Sequence, residues 1–233
     1  MKIQKSKPIH LDKLTQVSER SSPVFKDGVI YIDDFYENPE DITKWILSQP
    51  LPFWKYSNDN TRNGKDYNDC RLVHTFGHDI NKWEQQKMNR ILHACRRYFF
   101  KGDYHFNRVH EFNCFQTKTV FDNKLQHFPH TDDDLSQYDE FSTLNVIIYL
   151  DKEADGGTAV YSGEDVYNDE ANNLLFPVED HFDIEQIIPA QYNRCVIFPG
   201  NRYHGAYIND YNKYSEKNNS WRLSQVFFLH PQK

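Results

Sequence analysis

The chain has 233 residues, with 27 basic and 34 acidic side chains, a net charge of −7 and 15% aromatics. A mean hydropathy of −0.83, with no run near the ~18 apolar residues a spanning helix needs, excludes a helical membrane protein. The aromatic content excludes a disordered chain, and the net acidity argues against a nucleic-acid coat or a basic membrane-surface protein.

The opening residues, MKIQKSKPIHLDKL, lack the apolar stretch of a secretory leader. The four cysteines, Cys70, Cys95, Cys114 and Cys195, form no C-x-x-C pair. Both points predict reduced thiols and a cytoplasmic protein. Residues 1–27 read as an N-terminal extension and 28–233 as one domain, with no internal repeat or low-complexity linker.

Val29–Asp33 is a short β-branched run and predicts a strand. Asn38-Pro39-Glu40-Asp41 predicts a helix start: an Asn cap, Pro in the first turn, then acids at the positive end of the dipole. Ile42, Trp45 and Ile46 follow on one face. A second helix is predicted over Ile80–Phe100, with Ile80, Trp83, Met88, Ile91, Leu92, Cys95 and Phe99 at helical spacing. Asp79 can cap it and Gly102 can end it. Strands are then predicted at Phe106–Gln116, Thr143–Leu150, Thr158–Tyr161, Cys195–Phe198, Gly205–Ile208 and Trp221–Leu229. Residues 163–186 are polar and read as an insertion or lid. Helices first and strands later predict an α+β, mainly β domain: a sandwich or barrel with N-terminal helices packed on one sheet.

Three short patterns carry chemistry. In Phe128-Pro129-His130-Thr131-Asp132, an extended backbone points His130 and Asp132 the same way. A His and a carboxylate on one face can share a metal ion. Asp134 falls in the same phase, so alternation alone does not assign the acidic ligand, and alone the pair fits a surface turn equally well. His204 follows an apolar strand and a Pro199-Gly200 turn, where it can complete a site. Two His and one carboxylate form the triad that non-haem Fe(II) oxygenases use, leaving coordination positions open. In Trp221–Leu229, alternation puts Arg222, Ser224, Val226 and Phe228 on one face and Trp221, Leu223, Gln225 and Phe227 on the other. Both faces are largely apolar, so Arg222 is expected to be partly buried and to need an anion. That anion is either a protein carboxylate or the carboxylate of a ligand, with the Ser224 hydroxyl assisting.

The order His130-x-Asp132, His204, Arg222-x-Ser224 resembles the Fe(II)- and 2-oxoglutarate-dependent dioxygenases, most closely their prolyl-hydroxylase-like branch. Val29-Ile30-Tyr31-Ile32-Asp33-Asp34-Phe35 is similar to that branch's opening strand. Gln126–Asp132 is similar to its metal-binding strand, and Tyr149-Leu150 with Gly156-Gly157-Thr158 to the strand and hairpin that follow. Arg194–Pro199 is similar to the strand before the distal His. The resemblance spans roughly residues 28–230.

It implies a double-stranded β-helix, a cupin-like jelly roll. It implies Fe(II) bound by His130, Asp132 and His204. Arg222 would grip the 5-carboxylate of 2-oxoglutarate with Ser224 assisting, O2 would be the second co-substrate, and ascorbate would support turnover. Where prolyl hydroxylases often carry Tyr, three positions before the first His, this chain has His127, whose phase points away from the metal. Asn113, Gln116 and Tyr149 are further polar candidates on inner strands. A halogenase would need a small residue in place of Asp132, so the retained carboxylate favours hydroxylation. No G-x-S-x-G, Walker or G-x-G-x-x-G pattern competes.

Two other readings use the same residues. A cupin-like metalloprotein of another class, such as an isomerase, explains the triad but gives Arg222 no task. A non-catalytic jelly-roll binding module gives the triad none either. The substrate is not specified by these patterns: a protein or peptide side chain and an amino-acid-like molecule are both compatible. One clue is charge. Residues 132–185 hold 16 acidic side chains and 1 basic one. This block begins at the proposed iron ligand and spans the strand and hairpin expected to frame the active-site mouth. It is expected to favour a cationic substrate and to repel polyanions, nucleic acid included.

Overall fold

The computed structural model describes residues 17–18, 20–48, 55–56, 69–75, 82–100, 105–117, 125–127, 129–132, 143–163, 175–177, 182–214 and 218–232. For 55–56, 69–75, 82–88, 105–117, 125–127, 163, 175–177, 211 and 231–232 the description is of the backbone alone.

Strand alternation sorts side chains between two compartments. The strands are β1 (Val24–Lys26), β2 (Val29–Ile32), β3 (Lys55–Tyr56), β4 (Asp69–Thr75), β5 (His105–Thr117), β6 (Leu125–His127), β7 (Leu144–Tyr149), β8 (Gly157–Gly163), β9 (Leu175–Pro177), β10 (Phe182–Pro189), β11 (Cys195–Pro199), β12 (His204–Tyr207) and β13 (Arg222–Gln232). Eight form a large sheet in the order β1-β2-β11-β7-β13-β5-β4-β3. A second sheet runs β10-β8-β12, and β6 pairs with β9. An antiparallel bridge between His130 and His204 joins the chain leaving β6 to β12. All the strand pairs are antiparallel. The architecture is a double-stranded β-helix.

Helix α1 (Pro39–Ser48) starts at the proline of the predicted cap. Its Ile42 and Ile46 are buried with Ile91, Ala94 and Cys95 of helix α2 (Lys82–Tyr98). Both helices cover the outer face of the large sheet, against Ile30, Ile32, Val146, Ile148, Ile197, Leu223 and Phe227. The alternate residues Val29, Tyr149, Val196 and Phe198 point between the sheets, where Val160 and Ile188 of the small sheet meet them. Burying each such side chain stabilises the fold by roughly 1.5–3 kcal/mol. Gln225 is a buried polar group on the helix side, and it accepts a hydrogen bond from the Tyr36 hydroxyl.

The predicted strands are all present with small shifts at their ends. α2 is shorter than the apolar spacing predicts, ending at Tyr98. Asp79, Ile80 and Gly102, and the side chains of Trp83 and Met88, lie outside the described residues. Three edges of the sequence reading shift. Val24–Lys26, inside the predicted extension, pairs with Val29–Tyr31. β8 runs to Gly163 and β10 begins at Phe182, inside the predicted insertion. That insertion also supplies β9, with Leu175 opposite His127 in register, so it returns beside the metal-binding strand. Cys95 and Cys195 are free and buried. The side chains of Cys70 and Cys114 lie outside the described residues. Among the described residues, no helix is long and apolar enough to cross a membrane.

Candidate active site

Two backbone features bring the predicted ligands together. The His130 and His204 main chains exchange hydrogen bonds of 2.9 Å in both directions. The Asp132 amide donates to the Gly200 carbonyl (2.9 Å), and the Gly200 amide donates to the Thr143 carbonyl (2.7 Å). The turn between β11 and β12 therefore holds Asp132 against the start of β7. One ligand atom from each of His130, Asp132 and His204 lies within 4.8 Å of the others. His204 Nε2 is 3.0 Å from Asp132 Oδ2, and His130 Nε2 is 3.7 Å from Asp132 Oδ1. Asp134, which alternation left in competition, lies outside the described residues.

The histidine tautomer is fixed by its surroundings. His204 Nδ1 lies 2.8 Å from the Arg202 carbonyl, which can only accept. Nδ1 therefore carries a hydrogen, and Nε2 is the nitrogen turned to Asp132. Burial acts to raise the Asp132 carboxyl. The hydrogen bond and charge of His204, with help from His130 and Asn145, outweigh it and hold the group below the ordinary carboxylate value. Exposure is graded across the triad: the side chains of His204, Asp132 and His130 are 7%, 16% and 53% accessible. The centre is closed behind His204 and open at His130. Two imidazole nitrogens and one ionised carboxylate on one side of the cavity suit Fe(II) with open positions.

The predicted anion site lies at the other end of the same inner face. Arg222 is half-buried; its Nη2 donates to the Gly157 carbonyl (2.9 Å), and its guanidinium lies 6.0 Å from the Tyr149 ring centroid. Among the described residues no carboxylate pairs with it. Ser224, two residues along the same face, is buried and sits opposite Tyr149 in register. The Tyr149 hydroxyl bonds Thr158 Oγ1 at 2.9 Å, and burial pushes it above its ordinary value, keeping it a neutral phenol. The hairpin is built for close approach. A Cβ on Gly156 would meet the Tyr207 carbonyl at 2.1 Å, and one on Gly157 the Ile188 carbonyl at 2.0 Å.

The remaining candidates divide. Asn113 is the register partner of Ser224, and Gln116, opposite Cys70, directly follows Phe115, the register partner of Arg222. His127 lies on β6, three residues before the first ligand. The side chains of these three lie outside the described residues.

One residue the patterns did not flag belongs to the site. Asn145 is buried on β7; its amide nitrogen donates to Asp132 Oδ2 and lies 3.0 Å from His204 Nε2. A signal existed: a lone Asn in the apolar run Leu144–Tyr149, in the same phase as Tyr149, where strands disfavour Asn.

The charge expectation needs correction. The hairpin after β7 lies at the Arg222 end, not at the metal end. Leu150 donates to the Leu223 carbonyl, and Asp155 accepts from Asn209 and the Asp210 amide. Asp151, Glu153 and Asp155 thus sit at the Arg222 end. The reason is direction: β7 enters the sheet at the metal level and leaves it at the arginine level.

Residues 167–229, which include His204 and Arg222, match the model of a family of unknown function (DUF6445). No curated protein matches the sequence. The structure is similar to the non-heme α-ketoglutarate-dependent epimerase SnoN from nogalamycin biosynthesis, with 13% identity, coverage of 88% of this chain and 79% of that one, and a TM-score of 0.53. It is similar to a Pseudomonas putida prolyl-4-hydroxylase, at 9% identity, 88% and 94% coverage and a TM-score of 0.50. It is also similar to HygX from Streptomyces hygroscopicus, solved with nickel and 2-oxoglutarate bound, at 11% identity, 88% and 83% coverage and a TM-score of 0.50. At such identities the likeness establishes the fold, which is that of the 2-oxoglutarate oxygenases.

Proposed function

We propose that this protein is an Fe(II)- and 2-oxoglutarate-dependent oxygenase of the prolyl-hydroxylase-like branch, hydroxylating a C–H bond of its substrate. The observation that carries the reading is one inner sheet face with a His-Asp-His cluster at one end and, at the other, an arginine with no carboxylate partner among the described residues. A half-buried guanidinium needs an anion, and a dicarboxylic keto acid spanning the two ends supplies one. His130, Asp132 and His204 would hold the metal. Arg222 would bind the far carboxylate through its fork, with Ser224 beside it. The neutral Tyr149 ring walls the arginine on one side. Fe(II) with 2-oxoglutarate and O2 supplies the chemistry: the keto acid becomes succinate and CO2, and one oxygen atom enters the substrate C–H bond. The protein's contribution is to orient both partners and to limit water on the His204 side.

The substrate in this reading is a protein or peptide side chain or an amino-acid-like molecule, approaching from the open His130 side. Residues 28–233 would form the oxygenase domain, with β9 paired to the strand before His130. The acids of 133–142 and 164–181 would favour a cationic substrate.

The test is incubation with Fe(II), ascorbate, 2-oxoglutarate and O2, reading succinate, together with an anaerobic titration for a 2-oxoglutarate-dependent absorption band of the iron. Succinate release and the band are expected. Absence of both overturns the reading. Metal binding without 2-oxoglutarate binding leaves the cupin-like alternative, and binding of neither leaves the module. A +16 mass shift across a peptide and metabolite library then identifies the substrate. Turnover that slows with rising ionic strength supports a cationic one, and insensitivity to salt removes that expectation.

A further inference from the structure

We propose that Asn145 is the positioning residue of the metal carboxylate: its amide N–H holds Asp132 by one oxygen and leaves the other to the metal. The inference rests on the reading of His130, Asp132 and His204 as the ligand set.

Asn145 is 2% exposed, in the strand phase that faces the cavity. Its cross-strand partners are Phe198 of β11 and Phe228 of β13. Two aromatic neighbours flank the amide and lower the local dielectric, which strengthens the hydrogen bonds it makes. The orientation of the amide follows from the chemistry around it. Asp132 Oδ2 can only accept, so it sets which end of the amide faces it. The opposite orientation would face an amide oxygen against a carboxylate oxygen. The NH2 group is therefore the end that meets the carboxylate, and His204 Nε2 is left to the metal.

The backbone makes room for this contact. A Cβ on Gly200 would come within 3.2 Å of Asn145 Oδ1 and 3.3 Å of the Asp132 Cβ. Glycine at that turn lets the amide and the carboxylate close on each other. The role demands a neutral donor. An Asp at 145 would set a second carboxylate against Asp132, and a Leu of similar shape would leave Oδ2 without its donor. A carboxylate freed at Oδ2 can rotate and chelate the metal with both oxygens, closing a position that 2-oxoglutarate or O2 needs.

The test uses Co(II) as the metal probe, titrated into the full chain without O2, with affinity and d–d band shape as readouts. Asn145→Leu is expected to weaken Co(II) binding by about 10- to 100-fold, the range for residues that orient metal ligands, and to change the band shape. Its metal-free unfolding midpoint should fall somewhat, since Asp132 Oδ2 loses a donor, so affinity and band shape are read well below the unfolding transition. Asn145→Ala carries the same expectation for affinity and band shape if the Leu variant does not fold. Unchanged affinity and band shape in the folded variant overturn the proposal while leaving the metal reading intact. Wild-type protein that binds no Co(II), or a His204→Ala variant that binds it as wild type does, overturns the metal reading and this proposal with it.

Discussion

The two faces of β7 carry different work. Leu144, Val146 and Ile148 point to the helices and are buried in a large apolar cluster. Asn145, Ile147 and Tyr149, one residue out of phase, point into the barrel. Asn145 meets Asp132 and His204, and Tyr149 meets Arg222. The difference teaches that one strand separates stability from chemistry by alternation alone. The helix face tolerates only shape-compatible apolar groups. The inner face carries isolated polar groups whose cost is offset by specific partners.

The comparison can be broken first at the metal end. Asp132→Ala is expected to abolish metal binding and succinate formation in the assay above. The metal-free unfolding midpoint should fall modestly, since a carboxyl held below its ordinary value in the fold stabilises it when ionised. A variant that unfolds instead would make this face structural. Next comes the opposite face. Phe227, fully buried against the helices, should cost about 3–5 kcal/mol as Phe227→Ala in chemical denaturation. The fraction that stays folded should bind metal with wild-type affinity, and a parallel loss of affinity would show the two faces to be coupled.

A smaller effect is expected at the arginine. Arg222→Ala should raise the 2-oxoglutarate requirement roughly 100-fold, from lost charge-assisted bonds of about 1.5–3 kcal/mol each. Metal affinity should hold, and an unchanged keto-acid requirement would remove the assigned role. The smallest effect concerns the thiols under the helices. Burial pushes Cys95 from its ordinary 9.0 up to about 12, and Cys195 upward as well. A folded value raised above the unfolded one favours the neutral thiol in the native state. Its contribution is complete below about pH 9 and is lost as pH rises towards 12. Both thiols should resist alkylation near pH 8 until denaturant is added, and rapid labelling of native protein would show that the helix face opens.

Much of this was legible in the chain, for a local reason. Alternation and turn chemistry act over a few residues, so seven of the thirteen described strands, the faces of β13 and the pairing of His130 with Asp132 could be read from spacing. The choice of Asp132 over Asp134, and of a ligand carboxylate over a protein one at Arg222, came from the resemblance, because spacing left both open. Asn145 was overlooked although its phase was readable, since nothing nearby in sequence says what lies across from it.

By itself, the sequence determined which residues share a strand face, because side-chain direction follows from the backbone period of two. It determined the inventory of chemistry too: two histidines, a carboxylate and an arginine, in an order that fits one cavity. Only the tertiary structure decided what meets across the barrel. It joined His130 to His204 by a backbone bridge, brought Asn145 onto Asp132, and left Arg222 without a carboxylate partner among the described residues. It also sent the acidic hairpin at 151–156 to the arginine end, where sequence proximity to Asp132 had suggested the mouth. These contacts join residues far apart in the chain, and their register is set by the packing of whole sheets, which no local pattern encodes.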